Sequence, residues 1–311
     1  MLPLLFIERL KKLITDENKL NEILHSFNLE KKSSLRINCL KSSLSEVSIF
    51  FKSKNIQFKE VPFCNHALIL ENISSADLTE LSLYQEGKIY LQSLSSMLPA
   101  LVLNPDKSDK VLDICAAPGS KTTHLAAMMG NTGEIVANDV SGNRLYKLRA
   151  NLDIQGVTNV KLENNDGRSL WKKYPDYFDK TLVDVPCSME GRFYTEDLKS
   201  YSHWSIKKVK NLARLQRWLL RSAVSATKPG GTIVYSTCTM APEENEGVID
   251  WLLKKDKGRV ELVEFSISGL NFIPGINNWL GKNYSSSVKK TKQIYPDRLM
   301  EAFFIAKLNR V

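Results

Sequence analysis

Cysteine is scarce and poorly spaced for its structural uses. The 311-residue chain has five, at positions 39, 64, 115, 187 and 238, an odd number with no C-x-x-C pair. That argues against a disulfide framework and against a zinc site, and it fits reduced thiols in a cytoplasmic setting. Long apolar runs are missing too. The longest stretches, such as 97–103, reach seven residues, against the roughly 20 that a membrane span needs. The opening MLPLLFIERLKKLI has no basic lead and no small-residue cleavage site after it, so it reads as an amphipathic helix rather than a secretion signal. There is no internal repeat and no low-complexity tract. With 43% hydrophobic and 25% charged residues, disorder, collagen and coiled coil are excluded as descriptions of the whole chain. Acid is in deficit, 34 Asp and Glu against 43 Lys and Arg, for a net charge of +9. Such a balance favours a polyanionic partner, nucleic acid first, the plain alternative being a solvated basic surface.

The length suggests roughly two domains. Residues 1–92 read as a small α+β unit. Helical patterns near 2–13 and 16–26 precede short strand-like runs at 34–38 and 66–70, around a helical run near 43–54. From 93 to 311 the pattern changes. Apolar runs at 111–115, 134–139, 160–164, 180–185 and 231–236 alternate with helical stretches. That alternation predicts an α/β fold with a parallel sheet covered on both faces, and ligands beyond the carboxyl ends of its strands. The tract SSSVKKTKQ at 285–293 reads as an exposed basic loop.

The loop D-I-C-A-A-P-G-S-K-T at 113–122 stands between a strand and a helix. Its small residues allow close backbone approach, and the helix start offers free N–H groups. It is neither a dinucleotide fingerprint nor a P-loop: Gly119 is its single glycine, and Ser120 separates Gly119 from Lys121. Asp139 closes the next strand, twenty residues after Gly119, where an acidic side chain commonly binds ribose hydroxyls. Asp166 follows the third strand, placed to read an adenine edge. An adenosine without a phosphate cradle is implied, and S-adenosylmethionine fits. The plain alternative makes Asp139 and Asp166 turn-capping carboxylates. Two further strand ends carry Asp184-Val-Pro-Cys187 and Ser236-Thr-Cys238. Cysteines there are candidate nucleophiles, whereas Cys39, Cys64 and Cys115 suit small buried hydrophobes.

These segments resemble the RNA cytosine-5 methyltransferases of the Nop/NSun type, close to the bacterial 16S ribosomal RNA enzymes of that group. The likeness rests on LRINCLK at 35–41, YLQSLSSMLPALVL at 90–103, DICAAPGSKTTHLA at 113–126, DVPCSMEG at 184–191 and YSTCTMAPEENEGVIDWLL at 235–253. It implies a class I S-adenosylmethionine-dependent, Rossmann-like methyltransferase domain, with a ferredoxin- or RRM-like RNA-recognition module at 1–92. By that resemblance Cys115, Ala116, Ala117, Pro118, Gly119, Ser120 and Lys121 form the methionine and ribose side of the cofactor site, with Asp139 on the ribose. Arg144 braces that region and Asp166 faces the adenine. Cys238 is the nucleophile, adding to carbon 6 of a cytosine. Asp184 hydrogen-bonds the base, a role for which a protonated carboxyl would serve, and also counts among the cofactor-binding residues. Cys187 assists product release, and Lys121 lies near cofactor and base. Two positions depart from the pattern: Met189 and Ala302 each stand where glycine is usual.

The resemblance implies RNA as partner, ribosomal RNA first and transfer RNA second. No metal and no membrane are expected, and the expected state is a monomer. Two readings compete: a non-catalytic RNA-binding ribosome-assembly factor, and a nicotinamide oxidoreductase, which the loop fits poorly. On the helical run 205–227, Lys207, Lys210, Arg214, Arg217 and Arg221 share one face. A solvated outer face is the favoured reading of that stripe. Lys289, Lys290, Lys292 and Arg298 form a second basic group.

Overall fold

The structure is a computed structural model that describes residues 2–311. Helices α1 (Leu4–Leu13) and α2 (Glu17–Ser26) come first, and Asp16 caps α2 by accepting from the Lys19 N–H at 3.0 Å. Then follow β1 (Ser34–Ile37), α3 (Leu44–Ser53), β2 (Phe58–Val61), β3 (Cys64–Leu70), α4 (Ser75–Thr79), α5 (Ser82–Gln85) and β4 (Ile89–Leu91). The strands form an antiparallel sheet in the order β2-β3-β1-β4. Leu35 and Ile37 of β1, with Leu68 and Leu70 of β3, point to one face at the two-residue strand period and bury Val47 and Phe51 of α3. Helices α1 and α2 lie elsewhere. Phe6, Leu10, Ile23 and Phe27 pack with Phe193, Tyr201, Trp204 and Met240.

The remaining elements are α6 (Leu94–Leu103), β5 (Lys110–Asp113), α7 (Ser120–Met129), β6 (Glu134–Asn138), α8 (Gly142–Gln155), β7 (Val160–Glu163), β8 (Phe178–Asp184), α9 (Ile206–Ala226), β9 (Thr227–Thr237), α10 (Glu246–Lys255), β10 (Val260–Val263), β11 (Ile273–Pro274), β12 (Asn278–Trp279), β13 (Lys282–Asn283), β14 (Lys292–Ile294) and β15 (Phe303–Arg310). The larger sheet runs β11-β14-β15-β9-β8-β5-β6-β7, with β10 beside β15. Its strands β7, β6, β5, β8 and β9 are parallel. Their continuous apolar runs are covered on both faces, by α6 and α7 on one side and by α9 and α10 on the other. The chain winds outward from β5 through β6 and β7, then returns to build β8 and β9 on the opposite side. A crevice therefore opens between the carboxyl ends of β5 and β8.

The sheet is mixed, not purely parallel as the strand alternation predicts. β15 is antiparallel to both β9 and β14, because no crossover helix separates β14 from β15. The tract 285–293 also differs from the expected exposed loop. It forms a 3₁₀ turn over Ser286–Lys290 and runs into β14. Val288, Thr291 and Gln293 are buried, and Gln293 donates to Glu246 of α10. Lys289 and Lys290 remain exposed. Val288, Thr291 and Gln293 face inward while Ser286, Ser287, Lys289 and Lys290 face outward, a division hidden in a polar-looking tract.

The small sheet is fastened to the larger unit by a buried cation. Arg36 of β1 donates through Nε to Gln92 Oε1 and through Nη2 to Thr123 Oγ1 of α7, both at 3.0 Å. Among the described residues no helix is long and apolar enough to cross a membrane.

Candidate active site

The turn from β5 into α7 is a glycine turn. Gly119 has φ +111, and a Cβ there would lie 2.6 Å from Leu148 Cδ1 of α8. Only glycine lets α7 start there while α8 packs behind. Gly119 therefore shapes the loop and lines neither cavity of the site, unlike its neighbours Cys115, Ala116, Ala117, Pro118, Ser120 and Lys121.

The loop is held from the next strand end. The Ala116 N–H donates to the Asn138 carbonyl at 2.8 Å. The Ala117 N–H donates to the Asp139 carboxylate at 3.2 Å. Arg144 pairs with Asp139 at 3.1 Å and donates to the Ala117 carbonyl. Asn138 ties three strand ends together: its Nδ2 donates to the carbonyls of Ile114 and Asn165, both at 3.1 Å, and its Oδ1 accepts from the Asn165 N–H at 3.0 Å.

Two adjoining cavities open beyond this loop and share Cys115, Arg144 and Pro186. The smaller, about 130 Å³, has apolar walls from Ile114, Leu215 and Leu219, with Asp139 and Asp166 as acceptors. Asp166 reaches that wall with its carboxylate already engaged: it caps a 3₁₀ turn and pairs with Arg168 at 2.5 Å. The larger, about 260 Å³, is polar and includes Ser96, Asp113, Lys121, Asp184, Cys187, Arg192 and Cys238. Asp113 is buried, and its Oδ1 has no partner among the described residues. Burial pushes its carboxyl up to about 7. An apolar chamber with carboxylate acceptors, joined to a polar one with an unpartnered buried oxygen, suits a ligand with a nucleoside end and a charged amino-acid end.

The reacting groups converge from β8 and β9. Asp184 Oδ2 lies 2.7 Å from Lys121 Nζ, and Asp184 Oδ1 accepts from Ser236 Oγ at 2.7 Å. Lys121 also donates to Ser96 Oγ of α6 at 2.8 Å. On the loops that follow the two strands, Cys187 Sγ and Cys238 Sγ are 3.2 Å apart. The Cys238 thiol is held below its ordinary value. A hydrogen bond from Cys187 contributes most, and the Arg192 guanidinium adds to it against the effect of burial. Cys187 moves the opposite way, raised by that same bond and by burial, so the shared proton belongs to Cys187. Burial also raises Cys115, which remains a neutral thiol in the wall.

Buried carboxylates lock these two loops together. Glu190 accepts from Trp204 Nε1 at 2.8 Å and from the Met240 N–H at 3.1 Å. Glu244 accepts from the Ser188 N–H at 3.1 Å and from Gln216 Nε2 at 2.7 Å. Ser188 Oγ and Thr239 Oγ1 are 2.7 Å apart. Of the departures noted in the sequence, Met189 lies on the Cys187 loop and Ala302, just before β15, packs against it. Met189 sits at φ 60, a left-handed conformation that glycine adopts freely, and it lines the larger cavity. Ala302 is fully buried against the backbone of Gly191, where an added Cβ would lie 2.4 Å from the Ala302 carbonyl oxygen.

The site thus gathers the candidate cofactor and catalytic residues of the sequence except Gly119, which only shapes the loop, and adds Ser96, Asn138, Asp113, Glu190, Arg192, Ser236 and Glu244. Glu190 and Glu244 stand inside the quoted motifs, but their work is with backbone N–H groups that no pattern displays. Ser96 arrives only because α6 packs beside α7. The basic stripe of α9 divides in two. Arg217 stacks over Trp251 at 5.9 Å, and Arg221 lies 5.7 Å over Trp218 and 3.1 Å from Asp256. Lys207, Lys210 and Arg214 are exposed.

A family model described as 16S rRNA methyltransferase RsmB/F matches residues 100–309, and one described as the N-terminal domain of 16S rRNA methyltransferase RsmF matches 2–94. The chain is 39% identical over 278 residues to the tRNA (cytosine(49)-C(5))-methyltransferase of Pyrococcus abyssi, covering 89% of this chain and 88% of that one. It is 35% identical over 314 residues to ribosomal RNA small subunit methyltransferase F of Vibrio cholerae, covering all of this chain and 64% of that protein. It therefore spans a little under two thirds of that ribosomal RNA relative. The crystal structure of NSun6 from Pyrococcus horikoshii with SFG, an S-adenosylmethionine analogue, superposes with a TM-score of 0.84 at 26% identity, covering 99% of this chain and 98% of that one. The fold is that of the S-adenosylmethionine-dependent methyltransferases, with a small N-terminal domain.

Proposed function

The chain belongs to the RsmB/F methyltransferase family, and from that membership we propose that it methylates carbon 5 of a cytosine in structured ribosomal RNA through a covalent Cys238 adduct. The supporting observation is the pair of thiols 3.2 Å apart, in one cavity with Lys121 and Asp184. Carbon 5 of cytosine is too weak a nucleophile to accept a methyl group unaided. Addition of Cys238 Sγ to carbon 6 forms an S–C bond and shifts the ring double-bond pair toward carbon 5. Asp184, positioned by Lys121 and Ser236, hydrogen-bonds the polar edge of the base, and in its protonated form it donates to the ring nitrogen as negative charge builds there. S-adenosylmethionine, held by residues 115–121 with Arg144, Asp139 and Asp166, supplies the methyl group. A base then takes the carbon 5 proton, the ring double bond re-forms, and the sulfur leaves as a thiolate. Cys187 favours that last step because its thiol donates to the departing sulfur. The target base reaches the cavity only when unstacked. In this reading residues 1–92 recognise RNA, residues 93–311 carry the chemistry, and the protein acts as a monomer.

Transfer RNA is the second substrate reading, favoured by the Pyrococcus relative that this chain covers to 88%. A bisulfite map of total RNA, with and without the gene, tests both. Loss of one ribosomal cytosine signal supports the first reading, and loss in transfer RNA moves the substrate. The mechanism has its own test: Cys238→Ala abolishes methylation, while Cys187→Ala accumulates a denaturant-resistant protein–RNA complex. Wild-type methylation by Cys238→Ala would refute the covalent route.

A further inference from the structure

We propose that Arg192 is the cation that poises Cys238 for addition, and that Glu301 sets how strongly it does so. The inference rests on the reading of Cys238 as the nucleophile. Three cations line the larger cavity. Lys121 is committed to Asp184 at 2.7 Å, and Arg144 to Asp139 at 3.1 Å. Arg192 is paired too, with Glu301 at 3.1 Å, but through Nε alone, and its backbone runs beside that of Cys238 in the same cavity. The Gly191 N–H donates to the carbonyl of Cys238 itself at 3.0 Å, which places residue 192 one step from a direct bond to the cysteine. Gly191 has no freedom to move away, because its backbone is pressed against Ala302.

Glu301 fixes the other end. Its Oε2 accepts from Arg192 Nε at 3.1 Å and from Ser93 Oγ at 3.2 Å. Among the described residues the two terminal amino groups of Arg192 have no hydrogen-bond partner, and the side chain is 45% exposed at the mouth. Glu301 thus engages the guanidinium through one nitrogen and leaves the other two uncommitted. The charges around Cys238 oppose one another. Asp184 and Glu301 disfavour a thiolate, while the Cys187 thiol and Arg192 favour it. Charge on Cys238 is in turn the first cause of the raised Arg192 value. Arg192 and Glu301 should therefore move the thiol in opposite directions when neutralised.

The test uses the full chain. Alkylation of Cys238 by iodoacetamide is followed against pH, with peptide mass spectrometry separating it from the other cysteines. The acidic limb of the methylation pH profile is recorded in parallel. Arg192→Gln should slow Cys238 alkylation at neutral pH by roughly tenfold, the effect of losing one nearby opposite charge. Arg192→Lys should restore most of it. Glu301→Gln, which keeps both hydrogen bonds to its remaining oxygen, should instead speed alkylation at low pH. An unchanged Cys238 profile in Arg192→Gln overturns the inference, as does a slower one in Glu301→Gln. A shifted alkylation profile beside a fully active Cys238→Ala would leave the Arg192 effect standing and remove the nucleophile reading instead.

Discussion

Glu244 offers a quantitative test of how the two cysteine loops are held. It is fully buried between Ser188 and Gln216, with one oxygen accepting both bonds and Oε1 without a partner. Burial, reinforced by neighbouring Glu190, pushes its carboxyl up to about 8. Between the ordinary carboxylate range and that value, the folded protein holds a proton that the unfolded chain has lost. Stability must then fall as pH rises, by about 1.4 kcal/mol per pH unit, and level off once the folded group ionises. From pH 6 to pH 9 this one group should cost roughly 2.5 kcal/mol. Glu244→Gln keeps the shape and the accepting oxygen but cannot ionise. Asp113 and Glu246, both pushed up to about 7 by burial, give slopes of the same sign that cancel in the comparison. Urea unfolding at half-unit pH steps, followed by tryptophan fluorescence, provides the measurement. With the amide standing in for the neutral carboxyl, the variant should exceed the wild type by about 2 kcal/mol at pH 6 and by roughly 4 to 5 kcal/mol at pH 9. A wild-type-minus-variant difference that stays flat across that range would show that Glu244 does not titrate there, and the reasoning from its burial would fail.

Other consequences are as direct. Phe6 meets Phe27, Phe193 and Trp204 at ring separations of 5.8, 4.9 and 5.7 Å, so Phe6→Ala should cost about 3 to 5 kcal/mol in urea unfolding; a loss under about 1 kcal/mol would mean that α1 is not docked there. S-adenosylmethionine at a hundred times its dissociation constant should stabilise the protein by about 2.7 kcal/mol, read as a rise in Tm. Asp139→Asn should shrink that rise at the same ligand concentration, because an amide no longer pairs with Arg144 and presents one acceptor oxygen instead of two; an unchanged rise would remove Asp139 from the cofactor site. Asp184→Asn should lower kcat by at least about a hundredfold, since it removes the base-facing carboxyl and its ion pair with Lys121; single-turnover methylation assays decide it, and a rate within about threefold of the wild type would remove Asp184 from the chemistry.

How much of this was written in the sequence follows from the range of each interaction. The parallel core was legible because β5, β6, β7, β8 and β9 are short apolar runs separated by helical ones, and covered sheets require that pattern. The carboxyl-end residues came with it. Once strands are placed, Asp139, Asp184, Cys187 and Cys238 fall at or just beyond their ends without further information. The edge of the sheet was less legible. Whether the run at 301–308 returns parallel or antiparallel depends on the connection before it, not on its own composition. Hidden entirely were contacts made across long separations by ordinary residues. Phe6 meets Phe193, Ser96 meets Lys121, and Gly191 meets the carbonyl of Cys238. None of these has a periodicity. They matter because the reacting atoms sit on loops, and a loop has no ladder of its own to fix it. Glu190, Glu244 and the Ser188–Thr239 pair provide that rigidity, at the cost of carboxyls buried away from water. The motif residues that seem only to accompany the two cysteines, Ser188, Glu190, Thr239 and Glu244, are thus the reason the two sulfurs meet at 3.2 Å.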